Sequence, residues 1–245
     1  MMRSLLLALF VVGLVALAAC SKTPPALAAA ASMPTATAAP VADLPTADLA
    51  TPDSAYVPIN QPSQVWLMYA GLSGEIVDDD LLSHVSPAYQ GTLDPFERRD
   101  LRAKLIPGLQ TDLATAKDHR YVIFVDRSGR LAPYNFDHKA FGFASALMNG
   151  DASVSHGQMA GVSLIDVLPT NAADFQWLAV SDQTKARELQ AKITAGLMPQ
   201  VKVFAYVQGA TKVRNITQTL QVQITKVQVL DPQGHVLLEQ TAKGG

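Results

Sequence analysis

The pattern of apolar and polar positions divides the chain into three stretches. A continuous apolar run covers residues 5–19, whereas residues 21–60 carry few large apolar side chains and no regular spacing. From residue 61 onwards, apolar positions recur with the period of helices or alternate as in strands. The pattern therefore predicts a single folded domain over residues 61–242 and no packed core before it.

The first half of this domain carries helix signals. One helix is predicted from Pro62 to Gly74, and a second at the acids 78–80, which suit a helix N-terminus. A third helix begins at Asp94, which can cap it, and Pro107 is expected to kink or split it. The apolar stripe of this third helix consists of leucines four residues apart, Leu101, Leu105, Leu109 and Leu113.

The second half alternates as strands do. Two hairpins are predicted, with turns at residues 126–129 and 231–234 that each place Asp first and Gly fourth, and a helix over 181–196 lies between them. The alternation slips before Val227, which indicates a bulge. Outward Gln, Thr and Lys side chains predict one solvated sheet face. We expect an α+β fold, in which a helical N-terminal half packs on a mainly antiparallel sheet from the C-terminal half.

Charge narrows the classes of function. The chain has 19 Lys and Arg against 21 Asp and Glu, without a concentrated basic run. Nucleic acids and anionic lipid surfaces both require a basic face, so neither a nucleic-acid partner nor polybasic membrane adhesion is expected. No phosphate-binding loop is present, and no cofactor is predicted.

The apolar run has the length of a secretion signal. Arg3 supplies a positive start, and residues 5–19 would extend about 22 Å as a helix, less than a bilayer core of about 30 Å. Cys20, the one cysteine of the chain, follows the run at once. A single cysteine cannot form an internal disulfide, so the fold must be stable without one.

The junction resembles the lipobox of bacterial lipoproteins, whose pattern is leucine, two small residues and cysteine, here Leu17-Ala18-Ala19-Cys20. The resemblance implies that residues 1–19 are a signal peptide, that cleavage occurs between Ala19 and Cys20, and that the Cys20 thiol carries diacylglycerol. It also implies an anchor in the outer membrane facing the periplasm, because no aspartate follows the cysteine; the inner membrane is the alternative. Two or more acyl chains hold a protein firmly at a bilayer.

Residues 20–60 are expected to be this lipidated cysteine and a disordered tether. Seven of the 15 prolines, and twelve alanines, fall between residues 21 and 60. Proline interrupts alanine helices, and the side chains are too small to offset the entropy of ordering. The tether would hold the domain away from the membrane.

No group of residues predicts a catalytic or metal site. The five histidines show no ligand spacing, and the acids 78–80 lack the pattern of a calcium loop. His138, beside Asp137, could act as a general base, but an exposed loop histidine is the simpler interpretation.

One segment is unusually aromatic, since Tyr134, Phe136, Phe141 and Phe143 surround His138 within ten residues. Exposed rings would form a binding patch for a protein or a glycan, whereas inward rings would anchor a hairpin. The alternation of Tyr134 and Phe136 favours the inward arrangement. The segment also resembles a group of uncharacterised envelope lipoproteins that share a domain of unknown function, which implies no known activity.

These observations favour a non-enzymatic envelope lipoprotein whose domain binds or supports another envelope protein or a cell-wall component. The alternative is an envelope hydrolase acting on peptidoglycan, glycan or peptide, with its catalytic groups brought together only by folding. A spacer without a specific partner is a third hypothesis. An exposed aromatic patch would favour binding, and a cleft with a perturbed acid or histidine beside a nucleophile would favour the enzyme.

Overall fold

Ten strands and five α-helices make up the described part of the chain. The computed structural model describes residues 44–126, 129–148, 153–154, 165–213 and 217–243. The predicted signal peptide, the lipobox and residues 20–43 of the predicted tether lie outside these ranges. The elements are β1 (Val57–Pro58), α1 (Pro62–Ser73), α2 (Asp79–Val85), α3 (Pro87–Gly91), α4 (Pro95–Asp118), β2 (Tyr121–Asp126), β3 (Arg130–Asn135), β4 (Ala140–Ala144), β5 (Ser153–Val154), β6 (Ile165–Pro169), β7 (Trp177–Ala179), α5 (Gln183–Thr194), β8 (Gln200–Val213), β9 (Thr217–Leu230) and β10 (Val236–Thr241).

The larger sheet is built around two long antiparallel strands, β8 and β9. Its strand order is β1-β2-β8-β9-β6-β5. β6 runs parallel to the first half of β9, and β10 runs antiparallel to the second half, so both strands share one edge of β9. β1 also runs parallel to β2. The α+β class is confirmed, but the sheet is mixed and is not built from the C-terminal half alone.

The helices lie between strands along the chain and do not form a separate N-terminal half. α1 to α4 connect β1 to its parallel neighbour β2, and parallel neighbours need such a crossover. α1 packs on β8, β9 and β6 and also against α4. Its buried side chains are Val65, Trp66, Met68, Tyr69 and Ala70.

The signals predicted for α4 are confirmed at its start. Asp94 accepts hydrogen bonds from the amides of Phe96 and Glu97, which would otherwise lack partners in the first turn. Leu109 is buried, and the other leucines of the stripe pack partly buried against the core. The helix runs through Pro107 without being split.

One predicted hairpin forms and the other does not. β9 and β10 pair around the turn at Asp231, whose carboxylate accepts hydrogen bonds from the amides of Gln233 and His235. β2 pairs with β8, whereas β3 joins β4 and β7 in a separate three-stranded sheet. The first prediction is wrong because pairing with β8 buries Val122 and Phe124 of β2 in the main core.

The predicted bulge is present in β9. The ladder with β8 shifts between Ile224 and Lys226, which leaves Thr225 as the additional residue. The shift allows both Ile224 and Val227 to be fully buried, although their separation is odd.

Residues 44–56, which we call the N-terminal strap, lie on the sheet face that the sequence predicts to be solvated. Gln208 of β8 donates to the carbonyl of Pro45 at 2.9 Å. Gln223 of β9 accepts from the amide of Ala47 at 2.7 Å. The outward polar side chains therefore hold the strap instead of facing water only, because its backbone needs hydrogen-bond partners.

Tyr56 ends the strap at the bulge. Its hydroxyl lies 2.8 Å from Oγ1 of Thr225, and its ring meets those of Tyr121 and Phe204 edge-on. Burial raises the pKa of Tyr56, although the Thr225 hydrogen bond acts in the opposite direction. Residues 44–60, assigned to the tether from composition, thus belong to the folded unit.

Candidate functional site

An open cleft of about 670 Å³ lies between α5 and the segment that joins β3 to β4. This volume is in the range of small-molecule binding pockets. From α5, Gln183, Arg187 and Gln190 line the cleft at helical spacing, while Leu189 on another face is buried in the core. The helix α5 begins after Asp182, whose carboxylate accepts hydrogen bonds from the amides of Thr184 and Lys185.

A tight turn holds Phe136 outward at the cleft. The side-chain oxygen of Asn135 accepts hydrogen bonds from the amides of Asp137 at 2.9 Å and His138 at 3.0 Å. Lys139 ends the turn with a φ of 49°, in the left-handed region. Phe136 is 83% exposed and lines the cleft.

Tyr134 connects this exposed ring to the core. Its hydroxyl donates to the carbonyl of Val180 at 3.0 Å, and its amide donates to Oε1 of Gln190 at 2.8 Å. The Tyr134 ring lies edge-on to Phe136 at 5.2 Å and to the buried Phe141 at 5.1 Å. Three rings thus form a continuous path from the core to the surface, which restrains Phe136.

The predicted aromatic patch is divided between surface and core. Tyr134 and Phe136 line the cleft, whereas Phe141 and Phe143 are buried. His138 stacks on Trp177, with ring centroids 4.0 Å apart, and does not line the cleft. The inward arrangement is therefore right for the β4 residues and wrong for Phe136, because the alternation of β3 ends at the turn.

Several residues of the cleft were missed from sequence. Arg187 and Gln190 come from α5, and Gln190 is 56 positions from Tyr134, to which it is hydrogen-bonded. No local signal relates a helix to a strand at that separation. Lys139 lies at the centre of the aromatic segment, but nothing in the sequence shows that it lines a cleft.

The three consecutive acids do not form a shared site. Asp78 caps α2, Asp79 pairs with Arg102, and Asp80 lies 3.5 Å from the His84 ring. Their carboxylates thus have three different partners. Within the described ranges, no group of three or more His, Cys, Asp or Glu side chains could hold a metal ion.

No helix in the part of the chain that the structure describes is long and apolar enough to cross a membrane. Comparison of the chain with protein-family models, with curated proteins and with solved structures finds no match.

Proposed function

We propose that this chain is a membrane-anchored lipoprotein of the bacterial envelope whose folded unit binds another envelope component through the cleft between α5 and β3. The exposed Phe136 at this cleft is the observation that supports binding most directly. A phenylalanine fixed by a turn and by the Tyr134 ring offers apolar contact area at a small cost in entropy. Aromatic side chains of this kind are enriched at interfaces.

The anchor in this proposal is supported by the lipobox at Cys20. The acylated cysteine would sit in the outer membrane facing the periplasm, with the inner membrane as the alternative. The tether in this proposal is the part of the predicted segment 21–60 that precedes the strap.

The alternative, an envelope hydrolase, remains a prediction without a specific observation in its favour. His138, the base considered from sequence, stacks on Trp177. The described lining of the cleft instead supplies Lys, Arg, Gln and Ser side chains, which suit hydrogen bonding to a bound ligand. Binding is thus the function that the geometry supports best.

Partner capture from envelope membranes with the lipidated protein tests this proposal. The Phe136→Ala variant should retain at least about fivefold less partner than the wild type, since a central interface side chain contributes more than about 1 kcal/mol to binding. Phe96→Ala is the matched control, because Phe96 is also strongly exposed, at 71%, but lies on α4. Equal retention by both variants would exclude the cleft as the binding site.

A further inference from the structure

The cleft has a one-sided charge. Lys139 and Arg187 line it, and no Asp or Glu is among its described lining residues. Neither cation has a carboxylate partner within ion-pair distance in the described part of the chain. Two cations without partners at one cleft attract an anionic ligand, even though the chain as a whole has a formal charge of −2.

The acids of α5 do not neutralise this charge. Asp182 and Glu188 line a separate depression together with Lys185 and Lys192. The Asp182 carboxylate is also occupied, because it accepts hydrogen bonds from the amides at the start of the helix. The helix thus directs its acids to another surface and Arg187 to the cleft.

Apolar surface lies beside the two cations. Pro133, Phe136, Ala186 and Ala191 contribute to the lining, and most of the exposed area of the cleft is apolar. A ligand that fits combines anionic groups with apolar groups. A neutral glycan could donate to the Gln and Ser oxygens of the lining, but it would offer no counter-charge to Lys139 and Arg187. An acidic peptide fits this chemistry better than a neutral glycan.

The edge of β3 restricts how such a peptide can bind. The amide of Tyr134 already donates to Gln190, and Pro133 has no amide hydrogen. An added strand could not form a regular ladder with these two residues. Side chains must therefore provide the recognition at this point.

We infer that the cleft binds an acidic peptide segment with apolar side chains, carried by the envelope component that the chain recognises. Carboxylates of the segment pair with Lys139 and Arg187, and an apolar side chain packs against Phe136. This inference rests on the proposed function and names the ligand class of the same site.

Fluorescence anisotropy with the full lipidated protein in detergent tests the ligand class. The probe is a labelled peptide, acetyl-Glu-Leu-Glu-Phe-Glu-Leu amide, and its comparison has Gln in place of each Glu. We expect the acidic peptide to bind about tenfold or more tightly than the neutral one, and to weaken with added salt. Lys139→Glu and Arg187→Glu should each weaken its binding about three- to tenfold.

Lys104→Glu is the matched control, because it makes the same charge change at an exposed position of α4. It should leave affinity unchanged, and thermal unfolding should confirm that all three charge variants are folded. Equal affinity for the two peptides, equal weakening by Lys104→Glu, or no acidic-peptide binding up to about 1 mM would overturn the inference. Binding of an acidic oligosaccharide in place of the peptide would also overturn it.

The two proposals fail in different ways. Partner capture that depends on Phe136, without binding of the acidic peptide, would refute the ligand class and leave the binding module intact. Capture that does not depend on Phe136 would refute the proposed function and this inference together.

Discussion

The contact between α1 and α4 predicts opposite effects for two glycine-to-alanine substitutions. A Cβ atom at Gly71 would lie 2.7 Å from the carbonyl oxygen of Leu113 in α4. That oxygen belongs to the helix backbone, so it cannot turn away, and the two helices would have to move apart. Gly108, within α4, is the matched control, because a Cβ atom there would meet nothing within 4 Å.

The magnitudes of the two effects follow from competing terms. Alanine in a helix interior is favoured over glycine by about 0.5–1 kcal/mol. Overpacking at Gly71 costs about 1–3 kcal/mol. We therefore expect Gly71→Ala to lower the free energy of unfolding by up to about 2.5 kcal/mol and Gly108→Ala to raise it by about 0.5–1 kcal/mol. For a unit of this size, 1 kcal/mol shifts Tm by about 2–4 °C.

Urea unfolding followed by circular dichroism measures both variants against the wild type. The midpoints should move in opposite directions while the denaturant dependence stays the same, since the area exposed on unfolding hardly changes. If Gly71→Ala proved as stable as Gly108→Ala, the close approach of α1 and α4 at this point would be refuted.

Three further predictions concern the anchor, the strap and the β9–β10 turn. Cys20→Ala should abolish acyl-lipid labelling and cleavage after residue 19; intact mass showing an unmodified wild-type chain that retains residues 1–19 would contradict the anchor. Proteinase K should cut wild type first within residues 21–43, and Tyr56→Phe should make the strap more susceptible, because a hydrogen bond of about 1 kcal/mol is lost; equal cleavage of the strap in both proteins would argue against its docking. Desolvation raises the pKa of Asp231, but the hydrogen bonds from His235 and Gln233 together outweigh this effect. The pKa of Asp231 therefore lies below its usual value. The resulting stabilisation is present above the unfolded pKa of about 3.9 and is lost as pH falls through the lower folded value, so the Tm difference between wild type and Asp231→Asn should shrink from pH 7 towards acid; a difference independent of pH would refute this.

Local signals were sufficient to predict several elements correctly. The cap at Asp94, the helix end at Gly74 and the turn at Asp231 all depend on groups within about four residues of each other. The bulge in β9 was also predictable. Its apolar positions mark the buried face, so a slip in their alternation shows where a residue is added. In these cases the interacting atoms are neighbours along the chain.

The candidate site was only partly predictable. Tyr134 and Phe136 of the aromatic segment line the cleft, but whether each ring faces the core depends on where β3 ends and what α5 covers. Phe136 and Phe141 differ in exposure although both belong to the same short segment. Arg187 lies on α5, and no local signal in the sequence relates this helix to β3.

Sequence alone determined the α+β class, most helices, the second hairpin and the lipobox from which the anchor is proposed. Packing of the whole chain places β2 and β3 in different sheets, lays the strap on the outward face, and forms a cleft between α5 and β3. The physical reason is competition between distant partners: the bond from Ala47 to Gln223 joins residues 176 positions apart. A local pattern indicates that a strand edge or a polar side chain needs a hydrogen-bond partner. The identity of that partner depends on how the whole chain packs.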